Sequence, residues 1–358
     1  MKRFTIALFA ILLLSTSVCA TASDTADGQS PDSVYVVAYF CKNDTLEYVY
    51  TCEETKIKGS DTTTVTIEES KFRLVVLDSL ATGYRIQFTE LETKSPLLED
   101  IDNANNDHRQ AILRSIKAIS DRNGANSPII FTTNEFGEIQ HIENWIELRD
   151  NLLKIIDTYW DDIYKAVPGA SDYIDKNSFS ELIKAKYSSE EQLIENIEGF
   201  PLLFSFHGSA FHTGGTTLKS EGNDEELPST VQIAAYNFDP EEEGRDDFDP
   251  DYEVAIVTTS TAHGEEVKEL LKVVMGFILN DNDNSQEVMD SLKATKDFDN
   301  ATMNIHDGIE AYYWFNGWPS EIMHFNIVEL EAPNNKSQSR IKTKSLECVY
   351  RSCFNFMR

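Results

Sequence analysis

Positive charge is what this sequence has least of. Its 358 residues carry 31 lysines and arginines against 61 aspartates and glutamates, a formal net charge of −30. A nucleic-acid binder needs a cationic footprint to neutralise phosphates, and none is visible. The polybasic patch that would dock the chain on anionic lipid is missing as well. Long apolar runs are also scarce. Phe4–Leu14 is apolar apart from Thr5, but a bilayer-spanning helix needs about 20 such residues, so no transmembrane segment is expected. No Pro/Gly/Ser-rich linker divides the chain, which argues for one domain. Apolar residues make up 41% and aromatics 11%, enough to fill a core despite the charge, so disorder throughout is excluded.

The N-terminus reads as an export signal. Lys2 and Arg3 precede the apolar run, and Ala20-Thr21-Ala22 is a small-x-small cleavage site. Residues 1–22 are therefore expected to be removed, which takes away two bases and no acid. Residues 23–33 form a polar, flexible leader, and 34–358 the folded domain. A periplasmic, cell-envelope or secreted location follows. Lipid attachment at Cys19 is the lesser alternative, because Val18 is a poor residue before a lipidated cysteine.

Cysteine is sparse too, with five in the chain and four once Cys19 leaves. An even count in an oxidising compartment points to disulfides among Cys41, Cys52, Cys348 and Cys353, with three connectivities open. Cys41 and Cys52 flank the turn-like Lys42-Asn43-Asp44-Thr45 and suit a cross-strand staple, and Cys348 and Cys353 could close a C-terminal loop. Neither pair has the spacing of a zinc site.

From residue 34 to 92 the texture is β. Val34–Phe40, Leu46–Thr51, Thr62–Glu68, Phe72–Asp78 and Tyr84–Leu91 are rich in β-branched and aromatic residues. Tyr84, Ile86 and Phe88 alternate with polar residues, as on a sheet with one wet face. A short helix is expected at His108–Ser120, then a hairpin around Asn134-Glu135-Phe136-Gly137. The centre, 143–198, reads as helical, with a stripe running from Trp145 and Leu148 through Trp160 to Val167. Leu202–Phe206, Thr230–Phe238 and Tyr252–Thr261 return to β, Glu265–Leu279 and Gln286–Lys296 to helix. Ile309–Phe315, Glu321–Leu330 and Arg340–Tyr350 end the chain as strands. This order predicts an α+β fold, a large antiparallel sheet or partial β-barrel with helices packed on its concave face.

Three segments invite chemistry. Glu221–Glu253 holds thirteen acids and one base, Arg245. Hard cations take six to eight oxygen ligands, yet no calcium-loop pattern is present and a solvated loop is the plainer reading, so no metal is expected. Asp281-Asn282-Asp283-Asn284-Ser285 opens like a calcium loop but has Gln286 and Leu292 where glycine and glutamate are required. His207-Gly208-Ser209 is the most enzyme-like stretch, and an extended backbone would put His207 and Ser209 on one face. It matches no hydrolase elbow. Tyr312, Tyr313, Trp314, Phe315 and Trp318 surround Asn316-Gly317, either a core-facing hairpin or an aromatic wall for a ligand.

Phe131-Thr132-Thr133-Asn134-Glu135-Phe136-Gly137-Glu138-Ile139, followed by Asn144-Trp145, resembles a passage in uncharacterised exported proteins of Gram-negative bacteria. Phe315-Asn316-Gly317-Trp318-Pro319-Ser320 resembles the glycine–tryptophan–proline turn late in the same proteins. That group is distantly similar to the lipoprotein-carrier fold. The resemblance implies a curved antiparallel sheet around helices that shelters acyl chains, and it brings no catalytic residues. The expectation is an exported, non-enzymatic binding protein for an apolar or amphipathic, lipid-like ligand, without a cofactor, with Trp145, Trp160, Trp314 and Trp318 around its pocket. An envelope hydrolase using His207 and Ser209, and a protein interacting through its acidic surface, are the alternatives.

Overall fold

The computed structural model describes residues 33–58, 60–94, 127–151, 153–154, 175–178, 181, 184, 188–197, 199–221, 227–239, 244–246, 248–264, 266–267, 301–332 and 336–353. The strands are β1 (Ser33–Val36), β2 (Thr45–Lys58), β3 (Asp61–Leu80), β4 (Gly83–Lys94), β5 (Ile129–Thr133), β6 (Ile139–Ile142), β7 (Ser209–His212), β8 (Gly214–Ser220), β9 (Ser229–Asn237), β10 (Tyr252–His263), β11 (Thr302–Tyr313), β12 (Pro319–Ala332) and β13 (Lys336–Ser352). Eleven form one sheet in the order β6-β5-β4-β3-β2-β13-β12-β11-β10-β9-β8, and β1 pairs with β7. Every pairing is antiparallel. The sheet does not close, since β6 and β8 are its edges. Its middle strand is β13, which pairs with β2 on one side and β12 on the other.

The α+β expectation is overturned. The chain is mostly β, and its helices are few and short among the described residues. Between β6 and β7 the described residues are helical in α1 (Glu190–Asn196), α2 (Phe200–Leu203) and the pieces 145–151, 153–154, 176–178, 181 and 184. Most of the helical stripe predicted for 143–198, and the helices predicted at 108–120, 265–279 and 286–296, lie outside the described residues apart from 266–267. The physical reason for the correction is strand length. β3 runs through Glu68-Glu69-Ser70-Lys71, which looks like a turn between two short strands. Ser70 is buried in line with Phe72, Leu74 and Val76 while Glu69 and Lys71 lie on the wetter side, so the polar run continues the strand's alternation. β10, β11 and β12 also run on through polar residues, with mostly half-buried residues on both faces.

Leu202–Phe206, expected as strand, instead finishes α2 and enters a turn. α2 is a plug, not a covering layer. Gly199 caps it at φ +74°, where a Cβ would meet Tyr50, Phe72 and Leu346 at 3.2–3.4 Å. That close approach lowers Phe200 onto Phe88 and Phe131, with edge-to-face centroid distances of 5.4 and 4.9 Å. The main core gathers here, from Val36 and Phe40 through Leu46, Tyr48, Phe72 and Leu74 to Phe131, Tyr313 and Trp318. A second, smaller cluster (Ala262, Val267, Ala301, Met303, Leu330) lies toward the opposite ends of β10–β12.

The β11–β12 turn locks the main core. Gly317 has φ +83°, and a Cβ there would sit 2.2 Å from the Val37 carbonyl oxygen. Segment 37–40 is held on both sides, by Ala38 N–H donating to Phe136 O (3.0 Å) and Tyr39 N–H donating to Asn316 O (3.0 Å). Gly317→Ala is therefore expected to lower stability by about 2–3 kcal/mol, through a left-handed backbone and a clash with main chain that cannot rotate away. A urea melt measures this, and an unchanged midpoint would contradict the packing.

Candidate functional site

Of the tryptophans among the described residues, Trp314 and Trp318 are buried and Trp145 is half-buried. Trp318 is fully buried. Its ring stacks on Phe40 at 3.7 Å, and its indole N–H reaches Asp44 Oδ2 at 3.3 Å. Trp314 is 4% exposed; its N–H donates to Phe248 O (3.0 Å) and the Arg351 guanidinium covers its face at 4.1 Å. Both are structural, and the aromatic-wall reading of this turn gives way to the hairpin reading. Trp145 is half-buried beneath Arg149, 5.2 Å from its ring centre. An open cleft of 320 Å³ adjoins it, lined by Arg149, Asp150, Leu153, Lys184 and Ser188. Those charged walls do not suit an apolar ligand. Trp160 lies outside the described residues.

His207 does not meet Ser209. It is 4% exposed, and its Nε2 donates to Gly317 O (3.0 Å) while Nδ1 has no partner. Phe204, Phe40 and Tyr313 surround the ring at 5.3, 5.8 and 5.9 Å. Burial pushes its pKa down to about 4, with the Gly317 bond acting weakly the other way. Ser209 belongs to β7, opposite Val36. Neither ring nitrogen bonds the serine, so the hydrolase relay drawn from these two residues is not formed. The same core buries the Tyr313 hydroxyl without a partner, and desolvation raises its pKa well above the usual phenol range.

In the acidic segment the described carboxylates are spent on the loop itself. Asp246 Oδ1 accepts from Phe248 N (2.7 Å), Asp249 Oδ2 from Asp246 N (2.8 Å) and Asp251 Oδ2 from Phe315 N (2.7 Å). Arg245 donates to the carbonyls of Asp239 and Pro250 and lies 3.6 Å from Asp251. This is a clamp over Trp314. No group of three or more metal-ligating side chains occurs among the described residues. The calcium-like segment 281–285 lies outside them.

Cys41, Cys348 and Cys353 carry free thiols. Cys52 is buried in the body of β2, seven residues past Thr45, or roughly 23 Å of strand. That distance removes the Cys41–Cys52 staple. Extended backbone, not a loop, joins Cys348 to Cys353.

The arrangement the sequence did not reveal is the order of residues across β9–β12. Strand register places them in rows on one face. The first row, Ala235–Val254–Ala311–Ile322, is fully buried in the main core. Next comes the half-buried Ile233–Ile256–Ile309, ending at His324 on β12. The next row runs from Val231 on β9 to the polar Thr258, Asp307 and Asn326, with Asp307 Oδ1 accepting from Asn326 (3.3 Å) and paired with His324 (3.1 Å). The row after it sets Ser229 and Ser260 beside Ile305 and Val328, next to the buried Ala262–Met303–Leu330 of the second cluster. The opposite face bears a carboxylate row. Glu253, Tyr312, Glu321 and Glu347 are successive cross-strand neighbours, with Glu310 one row away. Burial, then like charges, raises the pKa of Glu253 and Glu321. The opposite face is thus anionic at this end only, and further along it carries the half-buried Val257, Phe325 and Ile327.

No protein-family model matches the chain. No curated protein matches it either. Among solved structures, the chain is similar to one titled for lipid–protein interactions in lipovitellin, at TM-score 0.31 and 8% identity. The match covers 89% of this chain and 26% of that one, so the chain spans about a quarter of that protein's length. At that score the likeness assigns no ligand. Nothing in these matches supports membership of the exported Gram-negative group. No described helix is long and apolar enough to cross a membrane.

Proposed function

We propose that this is an exported binding protein that holds an amphipathic, lipid-like molecule against the row-ordered face of β9–β12. The observation that carries the reading is the sequence of rows. Two buried apolar clusters are joined by half-buried aliphatic residues, and the polar row Thr258–Asp307–Asn326 crosses between them. An acyl chain gains by lying along Ile233, Ile256 and Ile309, at about 25 cal/mol per Å² of apolar surface removed from water. A hydroxyl or amide of the same molecule finds partners in the polar row. The export part of the reading rests on the N-terminal signal pattern.

The test is titration of the purified chain with a fluorescent long-chain fatty acid. Saturable binding is expected, with Ile309→Glu weakening it at least roughly tenfold, because a carboxylate on that row must lose its hydration. Far-UV circular dichroism of the variant establishes that the sheet remains. No saturable binding by the wild type, or equal affinity in a folded Ile309→Glu variant, sinks the proposal.

A further inference from the structure

Cys41 and Cys353 lie at one place, where the start of β2 meets the end of β13. Thr45 pairs with Ser352, the last residue of β13, so the next step of that antiparallel register sets Asp44 opposite Cys353. Cys41 is folded back onto the same Asp44. Asp44 N–H donates to Cys41 O (3.0 Å), and Cys41 N–H donates to Asp44 Oδ2 (2.9 Å). Asn43, at φ +74°, makes that turn. Asp44 is 1% exposed, with its carboxylate aimed inward at Trp318, so Cys353, its cross-strand neighbour, falls on the inward face too. Cys353 and Cys348 both pack against the main core.

We propose that Cys41 and Cys353 form a disulfide under oxidising conditions, tying the turn before β2 to the end of the last strand. Cys348 stands opposite Tyr48, four residues along β2 from Asp44, and its Sγ bonds the Tyr350 carbonyl (3.2 Å). Cys52 lies further still along β2. The oxidant is a small disulfide such as oxidised glutathione. One protein thiolate attacks it and releases a molecule of reduced glutathione, leaving a mixed disulfide. The second protein thiolate then displaces the second glutathione. Two thiols are oxidised, one glutathione disulfide is reduced to two thiols, and two protons pass between them. Burial raises the pKa of both Cys41 and Cys353, and the Asp44 carboxylate adds to it. Closure is accordingly faster at alkaline pH, where more thiolate is present.

The bridge would fix what the turn positions. Asp44 carries the indole of Trp318, so a covalent tie across Cys41 and Cys353 holds the floor of the main core. It would also close nearly the whole folded chain into one loop, which restricts the unfolded state.

The full-length mature chain, incubated with oxidised glutathione at pH 8.5, is blocked with an alkylating agent, digested without reductant and mapped by mass spectrometry. The expected product is a peptide pair joined through Cys41 and Cys353, with Cys52 and Cys348 alkylated. Dithiothreitol should abolish it, and Cys348→Ser should leave it in place. A higher thermal midpoint should accompany the bridge and be absent in Cys353→Ser. A Cys348–Cys353 bridge, a glutathione adduct on Cys41 that never closes, or full alkylation of Cys41 and Cys353 would overturn the proposal. The wild-type map decides the matter even where a serine variant fails to fold.

Discussion

Trp318→Ala is expected to remove about 4 kcal/mol of folding stability, enough to unfold much of the population at physiological temperature. Truncating a fully buried tryptophan costs about 3–5 kcal/mol in transfer and cavity energy. The cavity opens against Phe40, which stacks on the indole at 3.7 Å, and Phe204, 6.4 Å away. Asp44 Oδ2 also loses the indole N–H. That carboxylate keeps the Cys41 amide, so the polar loss is the smaller part of the cost. Trp145→Ala is the matched control. Trp145 is half-buried at the edge of the core, and its loss should cost about 1 kcal/mol. Urea unfolding followed by far-UV circular dichroism checks both, and equal losses would show that the aromatic turn is not the centre of the fold.

Acidification should expose the second large effect. His207 has its pKa pushed down to about 4 by burial, against 6.5 for an unperturbed imidazole. The fold therefore prefers the neutral ring, and the unfolded chain takes up the proton first. The contribution is complete above pH 6.5 and drains away as pH falls from 6.5 toward 4, by about 3 kcal/mol in all. Other groups add their own dependence. Glu47 and Glu143, whose pKa values are lowered chiefly by bonds to Lys71 with Arg73 and to Arg85, lose stabilising pairs as they protonate. Glu253 and Glu321 work in the opposite sense, because protonation relieves burial and like-charge repulsion. Comparison of the wild type with a His207 variant between pH 6.5 and about 5 therefore isolates this histidine's part. His207→Gln should flatten the dependence of unfolding free energy on pH there, whatever its effect on absolute stability. A slope unchanged in the variant would mean that another group titrates.

Local pattern revealed the strands wherever one face was dry. Ile86 and Phe88 alternate with polar residues and are buried as the alternation requires, and the hairpin around Asn134–Gly137 connects β5 and β6. Pattern failed at the polar stretch Glu68–Lys71. Thr62–Glu68 and Phe72–Asp78 are one strand, since β2 and β4 satisfy its backbone and Ser70 is buried in line with Phe72, Leu74 and Val76. It failed again at Leu202–Phe206. An apolar run bounded by glycine and proline suits a buried strand and a buried helical turn equally, and only the space above Tyr50, Phe72 and Leu346 decides between them.

Site residues were harder to read than strands. Tryptophans suggest a pocket by their chemistry, yet Trp314 and Trp318 close a turn, and their partners Phe248 and Asp44 are 66 and 274 residues away. His207 and Ser209 are separated by a turn that aims the imidazole inward. The face of β9–β12 has no motif at all. Its apolar–polar–apolar order exists only once four strands are set in register, so no single segment of the chain carries the signal. The cysteine grouping is of the same kind, because it depends on which residue of β13 stands opposite Thr45.

The measurement closest to the central claim is native mass spectrometry of the chain purified from the exported fraction of its expression host, without detergent. A bound small molecule of lipid-like mass should be released on collisional activation from the wild type and be absent from a folded Ile309→Glu variant. A wild-type protein that repeatedly flies at its bare polypeptide mass, while saturable fatty-acid binding also fails, would contradict the ligand-holding face.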